Sequence, residues 1–253
     1  MRAREPHNGG HTLWEAAVNP ARFASPAGTV LRAALILALL LGWSIAAGPD
    51  ARAGEARAGA VVVRGGNTLY SASGARCTVG FNARSGSTLY ALVSGWCVGS
   101  VGSTWYADST LTTAVGVTAG MSFPGNDYAV IRYTNTTVSY PGEISLGGGG
   151  VQDITAAASP AVGQQICHVG RTSGYRCGTV QAVNVTVNYG GGVVSGLFRS
   201  NLCSEPGDMG GPAFSGGTAL GIIVGGSGNC ASGGVTYYQP VVEILAVYGL
   251  SIY

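Results

Sequence analysis

The stretch CSEPGDMGGP, Cys203 to Pro212, sets two prolines and three glycines around Asp208 and Met209. Such a composition makes a tight loop. At its centre Met209 carries a thioether, which has no proton to surrender and cannot serve as an activated nucleophile. Outward from this loop, between Ala60 and the C-terminus, the chain breaks into short apolar runs separated by Gly, Ser and Asn. None of the internal runs sustains a helical period, which is the pattern of an all-β protein.

Val183 to Tyr189 (VNVTVNY) alternates apolar and polar residues strictly before Gly190-Gly191-Gly192, as a half-buried strand requires. Thr88–Val93, Tyr128–Tyr133, Val193–Phe198 and Ala219–Val224 also read as strands. Only Pro240 to Tyr248, PVVEILAVY, reads as a helix, with Val241, Ile244, Leu245 and Tyr248 on one face. The glycine-rich run Leu146 to Gly150 is the expected connection between two halves, at 60–145 and 151–253.

Charge is scarce: 9% of the 253 residues are charged, against about 25% in an ordinary soluble domain. Six of the thirteen basic residues precede residue 60, and from there on seven arginines balance seven acids. A near-neutral domain without a basic block excludes a nucleic-acid partner. The 43 glycines imply many turns, while 46% hydrophobic residues allow a sizeable core.

Leu31 to Ala47 is an apolar run opened by Arg32 and followed by Ala51-Arg52-Ala53. This is the form of a secretory signal peptide over 31–53, with cleavage expected after Ala53 and Ala47 as the alternative site. The run is shorter than the about 20 apolar residues of a membrane span. The mature chain is therefore expected to be extracellular, with no membrane partner. Residues 1–30 are too long for a normal charged lead and are expected to precede the true start.

Six cysteines, Cys77, Cys97, Cys167, Cys177, Cys203 and Cys230, lie beyond the signal segment. An even number in a secreted chain implies disulfides, and six cysteines allow 15 pairings that spacing does not resolve. No Cys-x-x-Cys pair occurs and His168 is the single histidine after Gly59, so neither a metal nor another cofactor is expected.

Several long segments in fixed order resemble the secreted bacterial chymotrypsin-like serine proteases, the streptogrisins and α-lytic protease. They are RCTVGFNARSGSTLYALVSGWC, SFPGNDYAVIRYTN, CHVGRTSGYRCG, NVTVNYGGG and the tail from Cys203 to Tyr253. The resemblance covers nearly all of 60–253. It implies two antiparallel six-stranded β-barrels with a short C-terminal helix, and the disulfides Cys77–Cys97, Cys167–Cys177 and Cys203–Cys230.

Carried over residue by residue, the resemblance puts three replacements in the catalytic machinery. The family's T-A-G-H-C segment matches Val93-Ser94-Gly95-Trp96-Cys97, so Trp96 stands where the general-base histidine belongs. Its aspartate matches Asp127 and is retained. Its nucleophilic serine matches Met209, and the serine that supports the aspartate matches Val224. The oxyanion hole, made from backbone N–H groups of Gly207 and Met209, survives side-chain replacement. Ser204, Glu205 and Pro206 with Val224, Gly225 and Gly226 match the substrate-binding walls, with no acidic base for a cationic side chain. Trp96 and Met209 are expected to plug the cleft floor. His168 or Arg171 is expected to neutralise Asp208. The family's long pro-region is reduced to Gly54–Gly59.

The resulting expectation is a secreted, monomeric pseudoprotease without useful peptidase activity that binds an extended peptide or protein. The alternatives are a residual serine-type endopeptidase and a surface interaction protein whose cleft is filled.

Overall fold

The structure, a computed structural model, describes residues 60–189 and 191–253. The expected extension and signal peptide lie outside the described residues. Among these residues no helix is long and apolar enough to cross a membrane.

Sixteen strands and one helix are described. The first sheet contains β1 (Thr68–Ser71), β2 (Arg76–Thr78), β3 (Phe81–Ser85), β4 (Thr88–Val93), β5 (Thr104–Tyr106), β6 (Ala114–Ser122) and β7 (Tyr128–Tyr133), in the order β2-β1-β5-β6-β7-β4-β3. Seven strands are counted rather than six because β2 and β3 are one chain run bent at Val79-Gly80. The Val79 N–H donates to Asn67 O at 2.8 Å on one side, and the Gly80 N–H to Leu92 O at 2.8 Å on the other. The bent run thus joins both edges and closes a barrel, which leaves no exposed edge in that region.

A small hairpin follows, β8 (Glu143–Gly147) with β9 (Gly150–Asp153). Its turn needs positive φ at Gly147, Gly148 and Gly149, a conformation that glycine adopts without strain. The glycine-rich run is therefore a hairpin turn lying between the two sheets in chain order.

The second sheet comprises β10 (Ala156–Ala157), β11 (Gln165–Gly170), β12 (Gly174–Tyr189), β13 (Gly192–Ser200), β14 (Pro212–Ser215), β15 (Thr218–Asn229) and β16 (Gly233–Pro240). Because β15 pairs with both β14 and β16, six of these strands form a closed ring, and β10 adds two residues parallel to β15. The alternation from Val183 holds only from Val185 onward. Asn184 has φ 55°, the register shifts between Ala182 and Val185, and Val183 is exposed. A bulge turns the strand there.

Each barrel has its own core, Leu69, Val93, Trp105, Val115 and Ile131 in the first, and Ile166, Val180, Phe198, Leu220 and Tyr238 in the second. A third cluster draws on both sheets, from Phe81, Leu92 and Val130 to Leu197, Ile222 and Val224. The helix α1 (Val241–Tyr248) adds Val241 and Ile244 to it. Pro240 caps its N-terminus, and Gly249 ends it at φ 61° with an N–H to Leu245 O, the usual left-handed stop. Leu245 and Tyr248, on the same face, are partly buried.

The sulfurs pair as Cys77–Cys97, Cys167–Cys177 and Cys203–Cys230. Cys167 and Cys177 face each other across β11 and β12, which sets the short CHVGRTSGYRCG segment as a hairpin.

Candidate active-site cleft

The loop Cys203–Pro212 connects β13 to β14 and meets the first barrel at its bend. The Thr78 N–H donates to Met209 O at 3.2 Å, and Gly210 N–H to Ile223 O at 2.7 Å. A Cβ on Gly80 would lie 2.3 Å from Ile223's neighbour Ile222 (Cγ2) and 2.9 Å from Gly210 O. Only glycine lets the bent strand and the loop approach this closely. Gly207, at φ 103°, supplies the other turn.

Asp208 locks the loop from inside. Its Oδ1 accepts the N–H groups of Thr172 (2.7 Å) and Ser173 (3.1 Å), and its Oδ2 accepts that of Glu205 (2.8 Å). The expectation that His168 or Arg171 neutralises it is corrected. Arg171 is exposed, and among the described residues the one ion pair is Arg64–Glu143. Three backbone dipoles compensate the buried carboxylate instead. His168 is fully buried, with Nδ1 2.8 Å from the Tyr238 hydroxyl, and burial lowers its pKa to about 4 against an opposing pull from Asp208. It is neutral at physiological pH.

Neither the Gly207 nor the Met209 N–H finds an acceptor among the described residues. These are the two donors that the resemblance assigns to an oxyanion hole, and they remain free to bind an oxygen. Met209 itself is partly buried and borders two cavities.

Asp127 sits where the chain enters β7. The preceding segment, with a cis Phe123–Pro124 bond and Gly125 at φ 96°, is tied to β13 through Gly125 N–H to Val193 O (2.9 Å) and Ser195 N–H to Gly125 O (3.0 Å). The Asp127 N–H donates to Gln239 Oε1 at 3.0 Å. Its carboxylate is almost fully buried, and Oδ1 accepts the Ser94 hydroxyl and the Trp96 N–H, each at 2.8 Å. Burial raises its pKa, and those bonds with the Gly95 N–H pull it back.

Ser94 changes the expectation drawn from Val224. Val224 is fully buried and offers no hydroxyl, yet Ser94, standing where the family segment has alanine, supplies one from the other barrel. The support has changed sides rather than vanished. Ser94 was legible in Val93-Ser94-Gly95-Trp96 but carried no signal until its neighbour Asp127 was placed.

Trp96 is not a core filler, and this too is a correction. It is 51% exposed and stands edge to face with Phe123, centroids 5.1 Å apart. The turn Gly95–Val98 lifts the ring above the cleft, where it packs on Gly191. The cleft floor is open. One cavity of about 280 Å³ is lined by Ser204, Glu205, Pro206, Gly207, Met209 and residues of β15 that include Gly225 and Gly226. A second, of about 290 Å³, lies among Trp96, Phe123, Asp127, Tyr189, Met209 and Val224. Phe123, Tyr189 and Ile223 border these cavities without having been singled out in the sequence; only the topology brings them there.

Comparison with known proteins places this architecture. The trypsin family model matches residues 93–247. Serine protease 2 of Streptomyces fradiae is 49% identical over 176 residues, 69% of this chain and 100% of that protein. Streptogrisin-D of Streptomyces griseus is 44% identical over 76% of this chain and 48% of its own length. Among solved structures, alpha-lytic protease homolog N4 superposes with a TM-score of 0.71 at 59% identity, covering 76% of this chain and 100% of that one. A glutamic acid specific serine protease, described as using a histidine triad in substrate binding, gives a TM-score of 0.71 at 43% identity over 76% of this chain and 100% of its own. The chain belongs to the trypsin-like serine protease family, with the streptogrisins and alpha-lytic protease homologues as relatives.

Proposed function

We propose that this chain is a secreted protease homologue without peptidase activity, which binds extended peptides or proteins in the retained cleft. The observation that carries the reading is the chemistry beside Gly207 and Asp127, where a thioether and an indole replace a nucleophile and its base. A thioether has no proton to lose, and an indole nitrogen only donates, so neither half of the proton transfer that activates a serine is available. Loss of such a pair in a comparable protease removes about a millionfold in turnover.

Binding is supported by what remains. β14 pairs with β15 only as far as Ile222, while β16 covers the opposite edge down to Gly233. One edge of β15 from Val224 onward is therefore free among the described residues, and an extended peptide joins such an edge by main-chain hydrogen bonds. A Cβ at Gly225 would meet the Tyr189 ring at 2.7 Å, and one at Gly226 would meet Ser204 Oγ at 2.3 Å. Glycine at both positions lets Tyr189 and Ser204 approach the strand backbone beside the cavity of about 280 Å³.

That cavity suits a large apolar side chain. Met209 and Ile223 line it, and the Glu205 carboxylate is turned to the Cys230 N–H at 2.7 Å. Preference for an acidic residue is not supported, because the one histidine after residue 59 is buried against Tyr238. The open cavities favour a ligand-binding cleft over a filled, purely structural one. The test is exposure of the purified protein to a fluorophosphonate probe alongside titration with extended apolar peptides. The reading expects no covalent labelling and saturable peptide binding; labelling refutes the loss of catalysis, and absence of binding refutes the role of the cleft.

A further inference from the structure

The second cavity, of about 290 Å³, gathers three aromatic residues, Trp96, Phe123 and Tyr189, around the carboxylate of Asp127. The walls are fixed from behind. A Cβ on Gly191 would come within 2.2 Å of Trp96 Cζ3, and one on Gly225 within 2.7 Å of Tyr189 Cε1. Phe123 meets Trp96 at an interplanar angle of 72°, so the two rings form a corner. Trp96, about half exposed, stands at the mouth with surface still to be covered.

The polar groups in this cavity are short of a cation. Arg64–Glu143 is the one ion pair among the described residues, so Asp127 has no cationic partner. The Tyr189 hydroxyl is buried without a hydrogen-bond partner among the described residues. Aromatic faces carry the negative side of their quadrupole and attract cations, most strongly where water is excluded. One carboxylate and one phenol offer too few oxygens for a hard metal ion. A diffuse organic cation matches both the rings and the carboxylate.

We propose that this cavity binds an alkylated ammonium group, with Trp96, Phe123 and Tyr189 as an aromatic cage and Asp127 as its charged floor. The replacement of an imidazole by an indole at residue 96 thus does two things together. It removes the group that would have partnered Asp127, and it adds the ring that best holds a cation. The site needs neither peptide binding nor the absence of peptidase activity, so its failure and the failure of the proposed function are separate results.

The test is calorimetric titration of the purified protein with tetramethylammonium chloride, with sodium chloride and tert-butanol as the charge-only and shape-only controls. The signal of the Trp96 indole N–H in a nitrogen-15 NMR spectrum is followed in parallel. Saturable binding that shifts this signal, and is absent for both controls, is expected. Asp127→Asn keeps an oxygen for Ser94 and the Trp96 N–H, while Trp96→Ala removes one wall; each should weaken binding by about tenfold or more. Trp96→Phe, which keeps an aromatic face, should retain part of it. Melting curves of the three variants confirm folding. Choline and an N-acetyl trimethyllysine amide distinguish a free cation from a side chain on a peptide: equal affinity assigns the former, tighter binding of the amide the latter. Binding of tert-butanol as tight as that of the cation, no binding of any ammonium probe, or insensitivity to both Trp96→Ala and Asp127→Asn overturns the proposal.

Discussion

Replacing His168 by asparagine isolates the energetic consequence of burying an imidazole beside a retained loop carboxylate. His168 is fully buried, its Nδ1 bonds the Tyr238 hydroxyl, and that hydroxyl also meets Ser200 Oγ at 2.8 Å. Its Nε2 has no partner among the described residues. With the pKa held near 4 in the folded chain and about 6.5 in the unfolded one, the unfolded state takes up a proton first as pH falls. Stability from this group is therefore fully present above about pH 6.5 and drains away toward about pH 4. The difference is worth about 3 kcal/mol in total, of which about 2.5 kcal/mol falls between about pH 7.5 and about pH 4.5. Asparagine keeps an acceptor near the Nδ1 position and has no proton to bind. Urea unfolding of both proteins across that range cancels the contribution of the carboxylates. The variant is less stable at neutral pH because it leaves a cavity, but the gap between the two proteins should shrink by about 2.5 kcal/mol on acidification. A gap that stays constant within about 1 kcal/mol, or an imidazole that titrates near its ordinary value by NMR, would show that burial does not hold His168 neutral.

Other residues give independent checks. Ser94→Ala removes the hydroxyl from the buried Asp127 carboxylate and should cost about 2 kcal/mol at neutral pH, with Val224→Ser recovering part of it in the double variant by denaturant unfolding. Burial raises the Asp127 pKa above 3.8, so the unfolded state ionises first and the wild type loses stability as pH rises from 3.8 through the folded value. Asp127→Asn should therefore gain relative to wild type across that window in thermal melts, and show no such gain below it. Gly80→Ala forces a methyl to 2.3 Å from Ile222 Cγ2 and 2.9 Å from Gly210 O; it should destabilise by about 1–3 kcal/mol or more, and a variant as stable as wild type in the same melts contradicts the close approach of barrel and loop.

The strands were largely legible because they are written in local patterns, whereas their arrangement as two barrels was legible only through the family resemblance. Thr88–Val93 and Tyr128–Tyr133 match β4 and β7 residue for residue, since each is a short apolar run rich in β-branched and aromatic residues. The bulge at Asn184 was not legible, because a polar residue at φ 55° keeps the sequence alternation while shifting the register. The bend at Gly80 also escaped, since its cause is the distant Gly210 and Ile222.

For the site, the identities at residues 96, 127 and 209 could be read directly, but their exposure could not. Trp96 looked like a core residue by hydrophobicity, and the turn after β4 places it at the rim. Asp208 looked in need of a cation, and three backbone N–H groups, which no sequence pattern advertises, meet that need. Phe123, just after β6, and Tyr189, at the end of β12, reach the cavity from different barrels, a meeting set by long-range strand pairing that no local pattern records.

The loss of activity proposed above rests on Trp96 and Met209, beside an Asp127 and backbone N–H groups that are kept. Fluorophosphonate labelling, followed by intact-protein mass spectrometry, compares the unaltered chain with a Trp96→His, Met209→Ser double variant. An unlabelled wild type and a double variant that gains a single covalent adduct at residue 209 are expected. An adduct on the unaltered protein would contradict it.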